Sequence, residues 1–140
     1  MYYKFRFKKE YIDDEPVYRP KIKVILSHAG KSKEVVAVLD TGSDLVYIPK
    51  DMADYFELDL SKSKKVGQGV AHEFHYYTTK IMVKMEDRHH SYQQLVSTIV
   101  PETDVHKDVI LGTEFLQDFA ITFDYPKRTI KLTEKTNKTG

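Results

Sequence analysis

The sequence predicts an all-β, barrel-like domain with one or two short helices. Apolar, aromatic and β-branched residues fall in short runs dominated by period 2, as in "YKFRF" at 3–7 and the long alternating stretch at 64–85. Glycine, proline or polar clusters separate these runs at short intervals. Only 49–58 and 113–119 carry helical spacing. Short strands in regular succession with two small helices fit a mainly β barrel.

Each element follows from its residues. "KIKVILS" (21–27) is a strand, "HAGKSK" (28–33) a loop with glycine for the tight turn, and "EVVAVLD" (34–40) a continuous apolar strand expected to be buried on both faces. "LVYI" (45–48) is a strand stopped by Pro49, which starts a helix over 49–58 with Met52, Tyr55 and Phe56 on one side. Residues 64–85 read as a hairpin with Gly67, Gln68, Gly69 and Val70 at its tip and Tyr76-Tyr77 packed at its base. "EDRHHSY" (86–92) is a polar turn with His89-His90 solvated, and strands follow at 94–100 and 109–112. A helix over 113–119 takes Thr113 as its N-cap and sets Phe115, Leu116 and Phe119 on one face. A last hairpin over 120–132 turns at Pro126-Lys127.

The chain has 140 residues, so one domain is expected, over 21–132. Residues 1–20 are an extension or interface strand, and 133–140 a flexible tail. The absence of cysteine excludes thiolate metal sites and cysteine nucleophiles. A net charge of +1, from 22 basic and 21 acidic residues, argues against nucleic acid as a primary partner. No apolar run approaches the ~18 residues of a membrane span. The basic start "MYYKFRFKKE" alternates charge with apolar residues, unlike a signal peptide, so a cytoplasmic setting is expected.

The feature that calls for chemistry is "AVLDTGSDLVYIP" (37–49). An apolar run carries straight into Asp40, and a second apolar run follows. Asp-Thr-Gly alone is the composition of a turn. Turns are flanked by polar residues, however, and an isolated ionised carboxylate among apolar groups is costly. A second apolar cluster, Val109-Ile110-Leu111-Gly112, follows about 70 residues later, with the glycine-tipped hairpin between. "HEFH" (72–75) looks like half a zinc motif, but histidines three apart in a strand face opposite sides, so no metal is expected.

These three features, in this order, resemble the retropepsins, the single-domain aspartic proteases of retroviruses and their cellular relatives. The resemblance spans about residues 21–125. It implies a retropepsin-like acid protease barrel and a homodimeric aspartic endopeptidase that acts on peptide or protein substrates without a cofactor. Asp40, Thr41, Gly42 and Ser43 match the catalytic loop. Gly67, Gln68, Gly69 and Val70 match the flap tip, and Ile110-Leu111-Gly112 the strand packed beneath the loop. By the resemblance, Asp40 activates water, Thr41 holds the two loops together across the dimer axis, and Gly42 lets backbone approach substrate. Ser43 is placed to donate to its own Asp40. Asp44 meets substrate main chain, while Leu45, Tyr47, Val70 and Ile110 line subsites for bulky apolar side chains. Retroviral members carry an arginine after Ile/Leu-Gly that pairs with the position of Asp44. Here Thr113-Glu114 stands there, as in the Gly-x-x-Phe-Leu pattern of cellular relatives. The alternative implied by the same fold is a catalytically silent dimer that acts as a binding or scaffold module.

Overall fold

The computed structural model describes residues 1–60, 64–68, 73–103 and 107–135, with 64–68 and 73–74 as backbone. Strand β1 (Tyr2–Arg6) leads into a hairpin of β2 (Lys8–Ile12) and β3 (Glu15–Arg19). Then come β4 (Lys21–His28), β5 (Lys31–Leu39), the two-residue β6 (Val46–Tyr47) and helix α1 (Lys50–Tyr55). β7 (Lys64–Gln68), β8 (Glu73–Glu86), β9 (Ser91–Pro101) and β10 (Val109–Leu111) follow. Helix α2 (Thr113–Leu116), β11 (Phe119–Asp124) and β12 (Thr129–Glu134) close the described chain.

The large sheet has the order β4-β5-β10-β6-β9-β8-β7, and β4 also pairs with β8. Strands β4, β5, β10, β6, β9 and β8 therefore close into a six-stranded barrel, with β7 outside it on β8. Closure follows from alternation: Ile22, Val24 and Leu26 of β4 turn inward, as do Ile81, Val83 and Met85 of β8 and Val96 and Val100 of β9. Each such side chain contributes about 1.5–3 kcal/mol on burial. Thr98, also fully buried, keeps its hydroxyl satisfied by donating to the Val96 carbonyl at 3.1 Å.

A second sheet, β1-β12-β11, packs on the barrel through aromatic edges. The buried Tyr3 ring meets Tyr92 at 6.4 Å and Phe119 at 6.2 Å, and Tyr92 meets Phe115 at 5.8 Å. Hairpin β2–β3 stands apart as a two-stranded ribbon.

Several local readings are corrected. β5 is not buried on both faces: Ala37 and Leu39 point into the core, whereas Val36 and Val38 are half-buried on the outer face. Helix α1 buries Ala53, with Phe56 buried just beyond it, while Tyr55 is turned outward. Tyr55 is the last residue of α1 and lies 43% exposed at the edge of that face, whereas Phe56, the C-cap, turns into the core. Helix α2 ends at Leu116, Gly112 is its N-cap in place of Thr113, and Phe119 begins β11. The extension over 1–20 contains the β2–β3 hairpin, which sequence reasoning passed over. β12 runs to Glu134, two residues beyond the expected strand end.

Candidate active site

The site is built where β10 slots between β5 and β6. β10 runs parallel to β5, with Ile110 opposite Val38, and antiparallel to β6, with Ile110 opposite Tyr47. The segment from Asp40 to Leu45 must therefore loop over the end of β10 to pass from one neighbour to the other. Backbone hydrogen bonds fix it there. The Asp40 amide donates to the Leu111 carbonyl at 3.1 Å, and the amides of Thr113 and Glu114 donate to the carbonyls of Ser43 and Asp44 at 2.7 and 2.8 Å. Gly112 makes this approach possible: a Cβ there would stand 2.4 Å from both the Ser43 and Leu45 carbonyl oxygens.

Within the loop, Asp40 is half-buried, and its carboxylate accepts the Gly42 amide at 2.9 Å. The Ser43 amide donates to the Asp40 carbonyl at 3.2 Å, closing a tight turn. The apolar run thus delivers the carboxylate to the barrel surface and leaves one side of it open. Thr41, Gly42 and Asp44 are exposed. Ser43 does not serve Asp40 as expected: its hydroxyl donates to the Leu45 carbonyl at 3.1 Å and braces the loop instead. A hydroxyl has one proton to give, so that bond excludes donation to the carboxylate.

The structure gathers Asp40 to Leu45 with Tyr47 and Ile110 around β10. Leu45, Tyr47 and Ile110 are all half-buried. Val38, missed because its strand was read as buried on both faces, joins them across from Ile110. The alternation Val36, Val38, Asp40 was the available signal. Gly67 and Gln68 lie within β7, opposite Phe74 and Glu73 of β8, and not at a turn. Gly69 and Val70 lie outside the described residues, as does His72 of the "HEFH" stretch. His75 is exposed on β8, and the described residues hold no group of metal-ligating side chains. His90, expected to be solvated, is half-buried with its ring 6.1 Å from that of Tyr3. No described helix is long and apolar enough to cross a membrane.

A family model described as gag-polyprotein putative aspartyl protease matches residues 29–118, which contain the loop, both its flanking strands and β10. Among solved structures, a retropepsin-like aspartic protease from Rickettsia conorii is similar with a TM-score of 0.59 and 16% identity, covering 94% of this chain and 90% of the other. The EIAV protease, solved with the inhibitor HBY-793, is similar with a TM-score of 0.52 and 20% identity, covering 78% of this chain and 92% of its own. No curated protein matches the chain.

Proposed function

This chain belongs to the gag-polyprotein aspartyl protease family and has the retropepsin fold, and from that premise we propose that it is a homodimeric aspartic endopeptidase using one Asp40 from each copy. The observation that carries the proposal is the half-open Asp40 carboxylate on a loop braced by β10, one such loop per chain. Peptide hydrolysis without a metal or a covalent nucleophile needs a base and an acid together. Two carboxylates a few ångströms apart cannot both ionise, so two Asp40 side chains across a two-fold axis would share one proton. The ionised one takes a proton from water as its oxygen attacks the scissile carbonyl carbon. The protonated one gives its proton to the carbonyl oxygen. The resulting diol collapses as the C–N bond breaks: one hydroxyl gives its proton to the Asp40 that is now ionised, and the nitrogen takes the proton that the other Asp40 removed from water.

The other residues have supporting roles. Thr41, exposed beside Asp40, would hydrogen-bond its counterpart across the axis. Gly42 offers backbone to substrate, and Asp44 faces the substrate main chain. Leu45, Tyr47 and Ile110 line subsites that take apolar side chains. The segment carrying Gly67, Gln68, Gly69 and Val70 closes over the peptide.

The deciding experiment incubates a diverse peptide pool with the wild type and with Asp40→Asn. Cleavage by the first and none by the second is expected. A pool left intact by both would leave a silent dimer that binds without turnover. Pepstatin, a transition-state mimic, should raise the Tm of the wild type if the dyad forms.

A further inference from the structure

We infer that hairpin β2–β3 is an added wall of the substrate cleft, forming a subsite for a bulky apolar or aromatic peptide side chain; this rests on the protease reading above. The hairpin lies outside residues 29–118 matched by the family model. A cleft of about 660 Å³ opens between it and the barrel, lined by Tyr11, Ile12 and Arg19 on the hairpin side and by Lys21, Val38 and Asp108 on the barrel side. Val38 ties this cleft to the catalytic loop. It shares the outer face of the strand with Asp40, two residues away, so the two side chains stand about 7 Å apart along the chain direction. Ile110 is its cross-strand neighbour. A peptide lying extended over Asp40 would place a nearby side chain against Val38, with Tyr11 and Ile12 opposite.

The hairpin is held in place. Glu10 accepts Lys21 at 3.0 Å and Arg19 at 3.2 Å, and Lys21 also reaches Asp108 at 3.8 Å. On its other side the Arg128 guanidinium stacks 3.6 Å over the Tyr18 ring, and the Phe7 amide, just before β2, donates to the Arg128 carbonyl at 2.8 Å. These pairs couple the cleft's charges to one another, two acidic groups with two basic ones. The lining is mixed: Tyr11, 65% exposed, and Ile12, 49% exposed, supply apolar surface with Val38, beside the paired charges of Glu10, Arg19, Lys21 and Asp108. Exposed apolar groups on a clamped ribbon beside a half-buried valine form a preorganised surface for an apolar side chain.

The test uses fluorescein-labelled decapeptide pools with each position randomised in turn. Binding is measured on Asp40→Asn, and cleavage on the wild type. One position should prefer Phe, Tyr or Leu over Ala. Adding Tyr11→Ser and Ile12→Ser together should cut that preference about tenfold. Both side chains are exposed, so the fold is spared, and Leu95→Ser, an exposed apolar change on β9, should leave the preference intact. A profile unchanged by the hairpin variant, an equal loss with Leu95→Ser, or no peptide binding would each overturn the inference. Hairpin-dependent binding without wild-type cleavage would sink the protease reading and keep the subsite. Normal cleavage with a hairpin-independent profile would do the reverse.

Discussion

The single proton of the Ser43 hydroxyl goes to the Leu45 carbonyl, and this decides what its removal does. Ser43→Ala should cost about 1 kcal/mol of stability through a lost hydrogen bond. It should leave the acidic limb of the pH–rate profile where it is, because no donor to the Asp40 carboxylate is lost; a limb moved to higher pH would put the hydroxyl back on Asp40. Gly112 is less forgiving. A methyl group there meets two carbonyl oxygens of the loop backbone, neither of which can swing aside. Gly112→Ala should therefore displace the 40–45 loop and lower turnover by far more than Ser43→Ala, with a Tm drop readable by calorimetry. Asp40→Asn removes charge without changing shape. It should abolish cleavage while the far-UV spectrum and Tm hold or rise, since like charges no longer repel.

At the scale of the element, turn geometry makes the clearest prediction. The β4–β5 hairpin turns on Ala29 and Gly30 at φ 49° and 84°, the two-residue turn in which both central residues take positive φ. Glycine does so freely, but alanine carries a Cβ into the left-handed region. Ala29→Asn should stabilise the hairpin by about 1 kcal/mol and raise Tm, because asparagine tolerates that conformation. The aromatic seam between the two sheets adds a pH dependence. Burial, reinforced by the Asp118 charge, pushes the Tyr92 hydroxyl up to about 12. An unfolded tyrosine ionises near its ordinary value of 10.0. The folded state therefore holds the proton longer: the associated stability is intact below about pH 10 and lost as pH climbs towards 12. Thermal melts across that window should decline less steeply for Tyr92→Phe. Strand alternation made most elements legible beforehand, β4 and β8 above all, as did the Asp-Thr-Gly loop. What escaped was set by turn chemistry and register in two places and by long-range pairing in one. β2–β3 turns on Asp13-Asp14, both at positive φ, a two-residue turn hidden in a charged segment that reads as an extension. Val38 looked buried because a run of valines hides which face is wet; the pairing with β10 decides it. Gly67 and Gln68 looked like a turn, but the register places them opposite Phe74 and Glu73.

At the scale of the whole molecule, the proposed dimer makes a quantitative claim. If each site needs an Asp40 from both copies, mixing wild-type and Asp40→Asn chains in equal amounts and letting them exchange should leave about one quarter of the dimers active, with activity following the square of the wild-type fraction. A linear fall in a verified exchanging mixture would place both catalytic groups in one chain. The seat of the loop also bears on when activity can appear. β5 and β10 are parallel partners separated by about 70 residues of sequence, and the carbonyls of Ser43 and Asp44 accept amides just beyond Gly112. Closing so long a loop is entropically expensive and slow compared with forming a hairpin such as β4–β5. During synthesis the Asp-Thr-Gly segment emerges about 70 residues before the Thr113 and Glu114 amides that hold its backbone over β10. Under the proposed mechanism contact order would thus act as a clock, a nascent chain holding Asp40 unarmed until β10 has been made and seated.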